Sequence, residues 1–175
     1  MSQRDVIVLT GAPGSGKTTT AELLAKSAER TVHIEADWFW SVVKNGKVDP
    51  WLREAEQQNK VALEAAAHAA VCYAKGGYRV ILEGIIGPWF ADILFEVFRR
   101  EQVASYYIVL RPTLEVSLQR IKQRENGLKE IEVVEQLWVE LGDLGKYNGN
   151  VIDNSAMSPD ETCATALEMI RITKG

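Results

Sequence analysis

The chain has 175 residues, 46% of them hydrophobic and 25% charged, the composition of a single folded domain with one core. With 24 acidic against 20 basic residues its net charge is −4 and its isoelectric point about 5.3, which argues against nucleic acid or an anionic membrane surface as the main partner. Any anionic ligand must therefore be held by a local positive site.

The first element in chain order is a strand over 5–10, whose run Val6-Ile7-Val8-Leu9 reads as buried on both faces. It leads into Gly11-Ala12-Pro13-Gly14-Ser15-Gly16-Lys17-Thr18, a full match to G-x-x-x-x-G-K-[ST]. A helix over 19–28 follows, with Leu23, Leu24 and Ala28 on one face. A polyphosphate needs several backbone N–H groups turned toward one point. Glycines at 11, 14 and 16 permit that turn, and the start of the next helix, from Thr19, adds its dipole. Lys17 supplies a mobile positive charge for the phosphates, and the Thr18 hydroxyl is placed to ligate Mg²⁺.

Further strands are predicted over 31–36, 78–84, 104–110 and 149–152, with helices between them. Asp49-Pro50 opens a long alanine-rich helix that runs to Lys75 and is ended by Gly76-Gly77. Ser158-Pro159-Asp160-Glu161 is a capping box that starts the last helix. Strict alternation of strand and helix implies an α/β fold with a parallel sheet covered on both faces. There is no repeat, linker or low-complexity tract, so residues 1–175 are read as one domain. Within it 126–147, rich in Glu and carrying Gly127, Gly142 and Gly145, is either a surface helix pair or a lid over bound nucleotide.

Ligands of α/β sheets bind at the carboxyl ends of the strands. Asp37, just past the second strand, therefore falls on the same rim as the glycine loop. There it can take a proton from an attacking hydroxyl, hold a water of Mg²⁺, or simply cap the helix that begins at Trp38. Glu83 closes the third strand in the manner of a Walker B acid that orients Mg²⁺, and Gly84 and Gly87 beside it would let a substrate approach the backbone. Trp38, Trp40, Trp51 and Trp89 fall near strand ends and either wall a pocket or pack in the core, the core being the usual fate of one Trp. Arg120 and Arg124, four residues apart, share a helix face and either neutralise phosphoryl charge or pair with Glu115 and Glu125 in solvent. His33 and His68 read as structural. Cys72 and Cys163 read as reduced core residues, which, with no signal peptide and no run of the ~20 apolar residues needed to span a bilayer, implies a cytoplasmic location.

Together these positions resemble the small-molecule P-loop kinases, in the style of gluconate kinase, shikimate kinase and chloramphenicol phosphotransferase. The resemblance implies a three-layer P-loop NTPase fold with five parallel strands in the order 2-3-1-4-5 and a helical lid. It implies ATP and Mg²⁺ as cofactors and transfer of the γ-phosphoryl group to a hydroxyl of a small molecule, by a monomer or homodimer. Residues 11–19 would hold the nucleotide and Thr18, Asp37 and Glu83 the metal. Lys17, Asp37, Arg120 and Arg124 would carry the catalysis, with Arg120 near adenine and Arg124 near the phosphates. The turn Asp153-Asn154-Ser155-Ala156-Met157 looks like the adenine-contacting loop, which brings in Ser155. Glu83 departs from the more usual Asp. A GTP switch would carry N-K-x-D late in the chain, whereas the nearest string, Gly46-Lys47-Val48-Asp49, is early and lacks Asn. A regulatory ATPase or a nucleoside or nucleotide kinase are the alternatives. The last needs several arginines in the acceptor region, where only Arg53 stands out.

Overall fold

The run Val6-Ile7-Val8-Leu9 is wholly buried because its side chains alternate between two cores. Val6 and Val8 join one cluster with Leu63, Leu82, Leu94, Phe98 and Val109, while Ile7 and Leu9 join another with Leu24, Ile81, Leu110, Ala166 and Ile170. These sit on opposite faces of one parallel sheet in a computed structural model that describes residues 4–123 and 130–174. Its strands are β1 (Asp5–Thr10), β2 (Thr31–Glu35), β3 (Arg79–Gly84), β4 (Ala104–Leu110) and β5 (Val151–Ile152), in the order β2-β3-β1-β4-β5. The helices are α1 (Lys17–Ala25), α2 (Asp37–Ser41), α3 (Glu56–Lys75), α4 (Pro88–Arg100), α5 (Leu114–Lys122), α6 (Ile131–Glu140) and α7 (Pro159–Lys174). The implied fold and strand order are those observed.

α3 can lie close to the sheet because its inner face is Ala62, Ala66, Ala67, Ala70 and Ala74, all buried. The capping box forms at α7: Glu161 N–H donates to Ser158 Oγ at 3.2 Å and Ser158 N–H to a Glu161 carboxylate oxygen at 2.7 Å. β1 and β3 are locked at their starts by a buried ion pair. Arg79 Nε and Nη2 each donate to an Asp5 carboxylate oxygen at 2.8 Å, and both residues are 2% exposed. That two-pronged geometry leaves little of either charge uncompensated.

Several expected boundaries move, each for a local reason. α1 begins at the loop lysine itself, Lys17, and ends at Ala25. β2 stops at Glu35 because Ala36 already has helical dihedrals. The long helix does not start after Asp49-Pro50: Leu52 is extended, Arg53–Ala55 is a short 3-10 turn, and α3 begins at Glu56. Only two residues form β5, since 145–150 is a 3-10 turn whose Asn150 side chain donates to the Tyr107 carbonyl at 2.8 Å. Cys163 is buried as expected, but Cys72 is exposed, because the inner face of α3 is taken by the alanines.

Replacing Arg79 with Met strands the Asp5 carboxylate in the interior. The expected loss is about 3–5 kcal/mol in urea denaturation. The double replacement Asp5→Leu with Arg79→Met is expected to recover most of it, because no buried charge then remains.

Candidate active site

The loop between β1 and α1 packs backbone against backbone. A Cβ at Gly11 would stand 2.3 Å from the Leu110 carbonyl oxygen at the end of β4, and one at Gly14 2.3 Å from the Ser117 carbonyl oxygen in α5. Gly14 and Gly16 also have φ of +80° and +92°, in the left-handed region, so glycine is required there on two counts. A third neighbour reaches the loop through the Ser15 carbonyl. It accepts from Asn154 Nδ2 at 2.9 Å and from Arg120 Nη1 at 3.5 Å, while Arg120 Nη2 donates to the Asn154 carbonyl at 3.1 Å. β4, α5 and the turn after β5 thus hold one loop in one shape.

Lys17 Nζ folds back over this loop and donates to the carbonyls of Gly11 (2.9 Å) and Ala12 (3.2 Å). Thr18 and Thr19 are exposed in the first turn of α1, and that turn carries no acidic side chain. The positive end of the helix dipole, the lysine and the glycine backbone would therefore meet an anion with no carboxylate in that turn to compete. Of the buried side-chain polar atoms without a hydrogen-bond partner among the described residues, Ser15 Oγ, Ser117 Oγ and Asn154 Oδ1 belong to the loop and the residues packed on it; Glu83 Oε2 and Arg111 Nε are the others. Each such atom costs about 1–3 kcal/mol unless water or a ligand meets it.

The acidic residues lie on the neighbouring strands. Glu83 stands opposite Leu9 of β1 and Glu35 of β2, and is 4% exposed. Its Oε1 pairs with His33 Nε2 at 3.1 Å, a contact unforeseen for a histidine read as structural. The hydrogen bond to Glu83 raises the His33 pKa above its usual value; partial burial opposes this, and the charges of Glu83, Glu35 and Glu22 reinforce it. Ala36 N–H donates to the Glu83 carbonyl at 2.8 Å, which carries Asp37 to the carboxyl end of β3. Asp37 is the first residue of α2 and is exposed. The N-cap position belongs to Ala36, so capping is not the role of Asp37.

The remaining expected residues are distributed as follows. Ser155 Oγ accepts from Thr113 N–H at 2.8 Å and bonds to Asp153, while its neighbour Asn154 is the residue that touches the loop. Arg120 lies against the loop backbone. Arg124 and residues 126–129 of the expected lid lie outside the described residues. α6 is seated on the body: Arg111 stacks over the Trp138 ring at 4.0 Å, and Trp138 Nε1 donates to the Pro112 carbonyl at 2.8 Å. The space beside Gly84 and Gly87 is filled by protein. A Cβ at Gly84 would lie 2.8 Å from Ala36 Cβ, and one at Gly87 2.3 Å from the Trp89 ring. Trp40 alone of the four tryptophans near the strand ends is buried; Trp38, Trp51 and Trp89 are exposed.

The donor set fits Mg²⁺. Among the described residues no three His, Cys, Asp or Glu side chains cluster to cage a metal. Mg²⁺ asks for less, one or two carboxylates with water and phosphate oxygens making up the rest. The unpartnered Glu83 Oε2 is the oxygen such an ion or its water would take.

A sequence model described as "AAA domain" matches residues 7–141. The cytidylate kinase of Pyrobaculum calidifontis is 25% identical over 175 residues, covering 94% of this chain and 92% of that protein. Among solved structures, a sugar kinase from Janibacter sp. HTCC2649 superposes with a TM-score of 0.75 at 21% identity, covering 96% of this chain and 95% of that one. A gluconokinase from Sinorhizobium meliloti 1021 gives 0.74 at 18% identity, covering 99% and 96%.

Two outcomes are expected at this site. Gly14→Ala meets a left-handed penalty of roughly 1–2 kcal/mol even before the clash with the Ser117 carbonyl, and urea denaturation should show at least that loss of stability. Because the folded state raises the His33 pKa, the stabilisation from the pair is complete below the unfolded imidazole pKa and is lost as pH rises through the raised one. Urea midpoints should therefore fall across that window in the wild type, and His33→Asn should remove this part of the slope.

Proposed function

We propose, for a chain that belongs to the AAA-domain family of P-loop proteins, that it is an ATP- and Mg²⁺-dependent kinase acting on a hydroxyl of a small molecule. The observation that carries this reading is an exposed carboxylate, Asp37, next in the chain to Ala36, whose N–H donates to the carbonyl of Glu83 at the end of β3, beside a loop with the phosphate-binding pattern. A nucleotide switch that works through partner binding does not require such an acid. A phosphoryl acceptor does, because its hydroxyl must be oriented and must lose a proton.

In this reading residues 11–19 bind the triphosphate, and Lys17 leaves the Gly11 and Ala12 carbonyls for phosphate oxygens. Thr18, Asp37 and Glu83 hold Mg²⁺ or its waters, and the ion would supply neutralisation of phosphate charge. Asn154 and Arg120 keep the loop's shape, with Arg120 beside the nucleotide. Arg124, four residues after Arg120 and outside the described residues, is assigned to the phosphates, and 126–147 to a lid, by the resemblance. Catalysis then comes mainly from alignment and fixed charge. Asp37 Oδ accepts the hydroxyl proton as the acceptor oxygen attacks.

The 25% identity to a cytidylate kinase supports a second reading, in which the acceptor is a nucleoside monophosphate. The two are separated by offering CMP, AMP and neutral polyols with Mg·ATP and weighing the product. With whichever acceptor is turned over, Asp37→Asn is expected to lower kcat by about 100-fold or more while ATP affinity is kept. An undiminished rate would remove Asp37 from the scheme.

A further inference from the structure

The chain has five tryptophans, and their indoles divide by use. Trp40 Nε1 donates to Asn59 Oδ1 at 2.7 Å, and Trp138 Nε1 to the Pro112 carbonyl at 2.8 Å; both are spent on the fold. Trp38, Trp51 and Trp89 are 61%, 62% and 45% exposed. Three large apolar rings left in water are a departure from ordinary burial.

They are also carried on segments tied to one another and to Asp37. Trp38 follows Asp37 in α2. Asn59, which takes the Trp40 indole, donates its Nδ2 to the Pro50 carbonyl at 2.7 Å and so tethers α2 to the turn holding Trp51. The segment leading to Trp89 is pinned on both sides of Ile86. Its N–H donates to Thr10 Oγ1 at 2.8 Å, and its carbonyl accepts from the buried Tyr107 hydroxyl at 2.5 Å. The Trp89 ring then lies over Gly87, where a Cβ would intrude to 2.3 Å. The rings are thus mounted on positioned backbone, which lowers the entropy cost of binding against them.

Charge on the same segments is close to balanced. Residues 36–55 and 84–92 carry three cations, Lys44, Lys47 and Arg53, against four acids, Asp37, Asp49, Glu54 and Asp92, the last already paired with Lys146 Nζ at 2.6 Å. Lys44 Nζ donates to the Ser41 carbonyl at 3.0 Å. Recognition of a phosphate or carboxylate uses converging guanidinium or ammonium groups, and these described segments hold exposed indoles with no surplus of cations.

We infer that the acceptor is a neutral or cationic hydroxyl compound with an aromatic or hydrocarbon face, which it lays on Trp38, Trp51 and Trp89 while presenting its hydroxyl to Asp37. This rests on the kinase reading above and narrows it: the acceptor carries no phosphate or carboxylate. The bond formed joins the acceptor oxygen to the γ-phosphorus, the bond broken joins that phosphorus to the β,γ-bridging oxygen, and ADP leaves as the hydroxyl proton passes to Asp37.

The test uses the full chain with Mg·ATP, product mass and ADP release. One group of compounds is phenyl β-D-glucoside, cytidine and a phenyl-bearing amino diol; the other is gluconate, shikimate, CMP and AMP. The highest kcat/KM is expected in the first group. Trp38→Ala, Trp51→Ala and Trp89→Ala are each expected to raise the acceptor KM about tenfold or more, with Trp51→Phe recovering part of the loss and calorimetric ATP affinity unchanged in all. A preference for an anionic acceptor, or a KM indifferent to all three alanines, overturns the inference and leaves the kinase reading standing. ATP binding with no compound phosphorylated overturns both.

Discussion

Three neighbours grip the loop between β1 and α1, and the rest of the site takes its position from that grip. Gly11 abuts the end of β4, Gly14 abuts the backbone of α5, and the Ser15 carbonyl is held by Asn154 and Arg120. Each contact comes from a different part of the chain, so the loop keeps its curl only when the whole sheet is assembled. A glycine-rich segment alone would sample many conformers at a large entropic cost; here tertiary packing selects one.

The same assembly aligns the acids. Parallel register sets Glu83 beside Leu9, two residues before the loop, and the Ala36–Glu83 backbone bond brings Asp37 alongside. The Asp5–Arg79 pair at the opposite end of β1 and β3 holds that register from below. Across the rim, Ile86 is fixed by Thr10 and Tyr107, which places the strand-to-helix turn bearing Trp89. The loop, Glu83 and the turn after β3 are therefore held at one edge of the sheet.

How much of this could be read beforehand follows from the range of the interactions. The phosphate loop is a local pattern of eight residues and was legible with its strand and helix, as were the strand alternation and the capping box. The strand order came through resemblance, since spacing along the chain carries no lateral order. The His33–Glu83 contact was not legible: the two are fifty residues apart and meet only because His33 pairs with Ile81, on the same face as Glu83. Asn154 was hidden for a similar reason, its partner Ser15 lying 139 residues away. The late start of α3 was masked by Asp49-Pro50, a genuine turn signal that opens a 3-10 turn before the helix. The exposure of three indoles reverses the usual expectation for tryptophan, and reversals of that kind belong to surfaces selected for binding.

The central claim is that this curled loop closes on the triphosphate of a nucleotide. Isothermal titration of the full chain with Mg·ATP, beside the Lys17→Ala variant, tests it most directly. One site per chain, with affinity lost in the variant while its thermal midpoint is kept, is the result expected. No heat of binding, or equal affinity in both proteins, would contradict the account.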